Sequence, residues 1–186
     1  MITSKADYKD YLSQDRVALG QPKELGSKQM IKQLFWPDKT FQFERALRKY
    51  EYLHNCRKKN PIWLLRYFFA KYKHRKLSLQ LGFTIGPNIF GPGLSIPHYG
   101  SIVINPNVRI GSNCRLHVGV NIGASGGADK VPIIGDNVYI GPGAIIFGDI
   151  RIGNNVMIGA NSTVTKSFEE DNIVIAGTPA KIIKRL

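Results

Sequence analysis

The chain is poor in cysteine and histidine and has no long hydrophobic run. Each shortage removes a class of explanation. Two cysteines among 186 residues, Cys56 and Cys114, make neither the disulfide framework of a small secreted domain nor a thiolate metal cluster. They read as reduced thiols in a cytosolic protein. The longest apolar stretch of the N-terminal part, residues 62–65 and 67–70, is interrupted by Arg66. It falls well short of the roughly 20 residues a membrane span needs. The first fifteen residues are polar, so no secretory leader is expected. Acidic residues are scarce in the first 80 positions, where 18 Lys/Arg stand against 7 Asp/Glu; residues 81–186 hold 8 against 6. A basic segment thus precedes a nearly neutral body. Such asymmetry suits nucleic acid, an anionic membrane or an acidic substrate, with a plain solvated helix surface as the alternative. No nucleic-acid motif accompanies the charge, so no nucleic-acid partner is expected.

Residues 1–80 read as a small α-helical segment. Positions 1–36 have weak periodicity and suggest short helices and loops. From Asp38 the pattern sharpens, with Phe43, Leu47, Tyr50 and His54 at helical spacing. Asn60-Pro61 marks a second start, with Asn as cap and Pro at the first helical position. That helix runs to about Lys76 with Ile62, Leu65, Phe69 and Tyr72 on one face, and Gly82 closes the helical part. The aromatic and basic mixture there either packs on the body or a partner subunit, or lies on a membrane surface.

From residue 85 a different period governs. Ile134, Ile140, Ile146, Ile152, Ile158 and Val164 recur every sixth residue. Neither the 3.6 period of a helix nor the 2.0 period of a strand requires six. Counting back in sixes gives Ala128, Ile122, Leu116, Ile110, Ile104 and His98. Four residues after the anchors stand small or β-branched residues, among them Val108, Cys114, Val120, Val138, Ala144 and Val156. Gly or Asn often follows the anchor, where the chain must turn a corner. Each hexad is then one short strand and a turn, and three hexads close a triangular coil. Stacked coils pair as parallel strands and bury together what one repeat cannot bury alone. The expected class is mainly β: a hexapeptide-repeat parallel β-helix over residues 81–186.

A regular prism does no chemistry, so the exceptions are the candidates. Ala128 lies in a Gly-rich stretch, residues 123–132, which reads as a loop thrown out from the coil. His98 stands where an aliphatic anchor is due. His117 follows nineteen residues later, one coil along and one position over. Two histidines and a loop on one stretch of scaffold make a candidate site. Imidazole, with an ordinary pKa near 6.5, suits a general base. A catalytic zinc would want about three protein ligands. His54 and His74 fall in the helical part, so no metal site is expected.

The ordered set "PGLSIPHYG", "VNIGASGGADKVP", "VYIGPGAIIFGDIRIGNNVMIGANSTV" and "IAGTPAKI" resembles hexapeptide-repeat acyltransferases, most closely the serine acetyltransferase branch, over residues 84–184. The resemblance implies a left-handed coil, acetyl-CoA as co-substrate and His98 as catalytic base. It places His117 and Asp129 at the acceptor. It places Ala144 and Ala160 beside the pantetheine arm, and Thr165, Lys166, Lys181 and Lys184 near the CoA phosphates. It further implies a homotrimer or a dimer of trimers, because the cofactor groove lies between subunits. Three positions depart from the branch. Thr84 stands where an Asp orients the histidine, Pro97 where an Asp precedes it, and Val131 where a second histidine holds serine. The acceptor expected from these departures is a sugar hydroxyl in polysaccharide synthesis, with serine as the alternative. A non-catalytic trimeric scaffold is the alternative of another class. The setting expected is cytoplasmic, with peripheral membrane contact through the basic segment.

Overall fold

Ser4 opens the first helix. Its hydroxyl accepts from the Asp7 N–H at 3.0 Å while the Asp7 carboxylate accepts from the Ser4 N–H at 3.0 Å, a reciprocal capping box. In the computed structural model this helix, α1, spans Lys5–Ala18, a longer element than the weak periodicity of the first 36 residues suggests. The structure describes the chain apart from residues 24–25, 27–30, 32–34, 36–37 and 128. Helix α2 (Lys39–Asn55) starts at Asp38, whose carboxylate accepts from the Thr40 and Phe41 N–H groups. Helix α3 (Pro61–Leu81) starts where Asn60-Pro61 predicts, with Asn60 Oδ1 accepting from the Trp63 N–H at 2.7 Å. It continues one turn past Lys76 and stops at Gly82, whose left-handed φ of 78° is free of Cβ strain.

The face of α3 that packs inward differs from the expected one. Trp63, Ala70, His74, Leu77 and Leu81 are buried, whereas Ile62, Leu65, Phe69 and Tyr72 are 64–73% exposed. Both sets recur at helical spacing, and α2 covers only one of them.

Among the described residues, thirteen strands follow. Chain order visits three parallel sheets in rotation: β1–β2–β5–β8–β11, β3–β6–β9, and β4–β7–β10–β12, the last extended by antiparallel β13. The bounding strands are β1 (Phe83–Thr84), β2 (Ile102–Ile104), β3 (Arg109–Ile110), β4 (Arg115–Leu116), β5 (Asn121–Gly123) and β6 (Ile133–Ile134). After them come β7 (Tyr139–Ile140), β8 (Ile145–Phe147), β9 (Arg151–Ile152), β10 (Met157–Ile158), β11 (Thr163–Val164), β12 (Ile173–Gly177) and β13 (Ala180–Arg185). Visiting three sheets in turn makes a prism of triangular section. Tyr139 pairs with Met157, and Ile145 with Thr163, eighteen residues apart, so one turn of the prism is three hexads. Ile110, Leu116, Ile122, Ile134, Ile140, Ile146, Ile152, Ile158 and Val164 all lie in one continuous core. Polar replacement at any of them would place an unpaired group inside the prism, which is why the phase is strict.

Both interruptions of the sixfold column are insertions. Arg109 pairs with Ile133, twenty-four residues on, so that turn carries one extra hexad, accommodated by the loop after β5. Position 128 lies outside the described residues. In the first turn Ser95 bridges Arg115, which puts Ile96, not His98, opposite Leu116. Ile96 is fully buried and fills the anchor position. Eight residues separate Ile96 from Ile104 instead of six, and the two extra residues carry His98 out of the column to an exposed turn.

The corners also differ in detail. Gly111, Gly135, Gly141 and Gly153, each directly after an anchor, are required by close stacking: a Cβ at Gly135 would stand 2.7 Å from the Gly153 carbonyl oxygen. The left-handed residue is the asparagine two places later. Asn113, Asn137, Asn155 and Asn172 have φ between 54° and 59°. Asn113 Nδ2 donates to Asn137 Oδ1 at 2.9 Å and Asn155 Nδ2 to Asn172 Oδ1 at 3.0 Å, so the amides ladder up one edge.

The first coil has no coil before it, and helices α1 and α2 supply what it lacks. Four charged residues, Asp15, Glu44, Arg48 and Glu51, are buried there. Arg48 donates to Asp15 at 2.7 Å, to Glu51 at 3.0 Å and to the carbonyls of Phe90 and Gly91. Asp15 accepts from the Gly93 and Leu94 N–H groups, Glu51 from Asn88 and Glu44 from Ile96. These side chains satisfy the open edge of the first coil as a neighbouring strand would.

Candidate active site

The turn after Ile96 and the end of β4 bring the two prism histidines together. Their ring centroids lie 5.9 Å apart at 42°. His98 is exposed, next to Tyr99, which is 76% exposed. His117 is half-buried and its ring lies 5.0 Å from that of Tyr139 on β7. Burial lowers the His117 pKa, and the nearby charges of Arg115 and His98 lower it further. His117 is therefore neutral at neutral pH, and its buried Nε2 has no protein partner. A neutral imidazole stands beside the exposed His98, which is accessible to exchange a proton. Nothing local in the chain marks Tyr139 beyond its place in an outward column between Arg115 and Met157.

Glu44 ties this site to the helices. Its Oε1 accepts from the Ile96 N–H at 2.9 Å, two residues before His98. Burial, and then the charge of Asp15, push its pKa well above the usual carboxylate range.

The remaining expected site residues divide. Asp129 is exposed on the loop and accepts from Asn107 Nδ2 at 3.4 Å, a contact with neither histidine. The loop closes on itself through Ser125 N–H to the Lys130 carbonyl and Lys130 N–H to the Gly127 carbonyl. Val131 is buried in the prism core and points away from any outer site. Thr84 is exposed on β1 and pairs with Val103. Ala144 is fully buried in the core, in the inward column with Val138 and Val156. Ala160, Thr165, Lys166, Lys181 and Lys184 are exposed on the last coils and on β13. The three lysines share this end of the chain with Glu169, Glu170 and Asp171, and Arg185 there pairs with Glu170 at 2.6 Å. Among the described residues, no group of three His, Cys, Asp or Glu side chains is placed to hold a metal ion.

Residues 132–166 match the bacterial transferase hexapeptide (six repeats) family. Serine acetyltransferase from Buchnera aphidicola subsp. Schizaphis graminum is 33% identical over 145 residues, which is 75% of this chain and 55% of that protein. Serine acetyltransferase from Synechococcus elongatus is 36% identical over 110 residues, covering 58% of this chain and 45% of that protein. The chain spans about half the length of these curated relatives. Among solved structures, serine acetyltransferase from Brucella abortus strain S19 in complex with coenzyme A aligns with a TM-score of 0.75 at 28% identity, over 97% of this chain and 69% of that one. The Neisseria gonorrhoeae enzyme in complex with serine aligns at 0.70 and 26% identity, over 97% and 71%. These are left-handed β-helices, the hand the resemblance implies. By its repeat, its three-sheet topology and these likenesses, the chain is a hexapeptide-repeat protein similar to the serine acetyltransferases.

Proposed function

We propose that the chain is an acetyl-CoA-dependent O-acetyltransferase in which His98 is the general base and His117 holds the acceptor. The observation that carries this reading is the His98–His117 pair, 5.9 Å apart on the prism. His98 takes the proton from the acceptor hydroxyl as its oxygen attacks the thioester carbon. The tetrahedral intermediate collapses, the carbon–sulfur bond breaks, and the leaving CoA sulfur recovers the proton from His98. Atoms balance without a metal or a covalent enzyme intermediate. The exposed Lys166, Lys181 and Lys184 suit the CoA phosphates, and Ala160 leaves room for the pantetheine arm. Related proteins crystallised with coenzyme A and with serine support the same pairing of substrates.

Serine is the acceptor favoured by the relatives, ahead of a sugar. The sugar reading keeps one support: Val131 is buried where the resemblance expects a serine-holding histidine, so this loop offers no imidazole there. Thiol release from acetyl-CoA, measured with L-serine, hexoses, aminosugars and nucleotide sugars, decides between them. Serine is expected to give the highest kcat/KM. Turnover with a sugar alone transfers the acceptor assignment to the sugar, and absence of any thiol release with intact acetyl-CoA binding overturns the catalytic reading. The groove for CoA is proposed to lie between subunits of a homotrimer or dimer of trimers, in a cytoplasmic setting. No described helix is long and apolar enough to cross a membrane.

A further inference from the structure

A cavity of about 740 Å³, remote in sequence from both histidines, opens between α1, α2 and α3. Four cations line it, Arg45 and Lys49 from α2 and Arg66 and Lys73 from α3, and no carboxylate does. Among the described residues none of the four forms an ion pair: the ion pairs use only Arg48 and Arg185. Three of them face aromatic rings: Arg45 lies 5.5 Å from the Phe41 ring centre, Lys49 Nζ 5.2 Å from that of Tyr8 and Arg66 5.9 Å from that of Trp63. Partial burial lowers the Lys49 pKa, and the neighbouring charges of Arg66 and Lys5 lower it further. Like charges are thus gathered in one recess without an internal counterion.

The lip of the same recess is apolar. Leu65 and Phe69 line it and are 72% and 67% exposed, and Ile62 and Tyr72 extend the stripe along α3. Helix α3 carries Arg66, Lys71, Lys73, Arg75 and Lys76 and no acidic residue. A helix with an apolar strip flanked by cations has the character of one that lies in a membrane interface, apolar side chains in the acyl boundary and cations at the headgroups. A second copy of this chain is a poor occupant, because it brings the same excess of positive charge to the contact.

We propose that this recess is a docking site for an anionic phospholipid bilayer, with lipid phosphates seated among Arg45, Lys49, Arg66 and Lys73 and the stripe Ile62, Leu65 and Phe69 entering the interface. The site is separate from the acetyl-transfer centre, and its test reads binding alone, so the two readings stand or fall independently.

The experiment is co-sedimentation of the full chain with vesicles of phosphatidylcholine, with and without phosphatidylglycerol. At about 50 mM salt the chain is expected to bind the anionic vesicles at least about tenfold more tightly, and to lose most of that binding by about 300 mM. Lys49→Glu combined with Lys73→Glu should weaken binding at least about tenfold. Ile62→Ser, at a position 73% exposed, should weaken it severalfold. Equal binding to neutral and anionic vesicles, or none at low salt, overturns the proposal. So does charge-reversed protein that binds like the wild type. Displacement by inorganic phosphate at constant ionic strength overturns it in favour of a free phosphate ligand. A fall in solution mass of lipid-free Ile62→Ser protein overturns it in favour of a second copy on the stripe.

Discussion

The carboxyl of Glu44, on α2, accepts the backbone N–H of Ile96 at 2.9 Å inside the protein. Ile96 fills the first anchor position of its column, and the exposed turn bearing His98 begins directly after it. A helix outside the repeat therefore fixes where the repeat releases its histidine. Because burial pushes the Glu44 pKa well above the usual carboxylate range and so favours the neutral form, Glu44→Gln should preserve the contact with little change in stability or turnover. Glu44→Ala leaves the Ile96 N–H unpaired and should cost about 1–3 kcal/mol in urea unfolding. It should also lower kcat more than it raises the KM for acetyl-CoA, since only the histidine turn loses its anchor. Equal behaviour of Gln and Ala at this position would remove the contact's role.

His98→Ala should lower kcat by at least about a hundredfold, the lower end of what a general base contributes. The dissociation constant for CoA, measured by calorimetry, should stay within about twofold, because the proposed CoA contacts lie on later coils. His117→Ala should act mainly on the acceptor KM. If His117→Ala abolishes turnover while His98→Ala retains it, the two roles are exchanged.

Arg48 is fully buried between Asp15 and Glu51. Burial opposes its charge, but Glu51 and Asp15 more than offset this and raise its pKa. Arg48→Met removes the cation and strands two buried carboxylates, so unfolding free energy should fall by about 3–5 kcal/mol. The loss should shrink in acid, where protonation relieves the stranded pair. A change below about 1 kcal/mol at pH 7 would contradict a structural role for this cluster.

His74 gives the fold an acid limit. It is enclosed by the Phe43 and Tyr50 rings at 5.2 and 5.5 Å, and burial pulls its pKa from 6.5 down to about 4. Unfolded chain takes up a proton near pH 6.5 that folded chain refuses until about pH 4. Stability from this residue is therefore complete above pH 6.5 and declines between 6.5 and about 4, by up to about 3 kcal/mol. Urea unfolding across that range should show the slope, and His74→Phe should flatten it.

Gly135→Ala should cost about 1–3 kcal/mol, since its Cβ would stand 2.7 Å from the carbonyl oxygen of Gly153 on the adjacent coil. Gly126→Ala is the control. Its Cβ would meet no atom within 4 Å, so only the left-handed φ of 72° opposes it, at about 1 kcal/mol. Thermal unfolding of the two variants compares a stacking constraint with a local backbone one.

The spacing of Ile134, Ile140, Ile146, Ile152, Ile158 and Val164 determined the prism, because a closed triangular coil has one inward anchor position per side and tolerates no polar residue there. Asn60-Pro61 and Gly82 determined the bounds of α3, since capping and left-handed φ are local properties of single residues. Tertiary structure decided which face of α3 is buried. Both Ile62–Leu65–Phe69 and Trp63–Ala70–Leu77 satisfy a helical period, and only the placement of α2 selects between them. It also decided how His98 leaves the core. A two-residue insertion in a column can be seen only against the strand on the next coil, and Ser95 opposite Arg115 supplies that reference. The inward direction of Ala144, the pairing of His117 with Tyr139 and the capping of the first coil by Asp15, Glu44, Arg48 and Glu51 belong to the same class. Each depends on residues far apart in the chain, whose proximity is set by coil stacking and helix docking and leaves no local periodic signal.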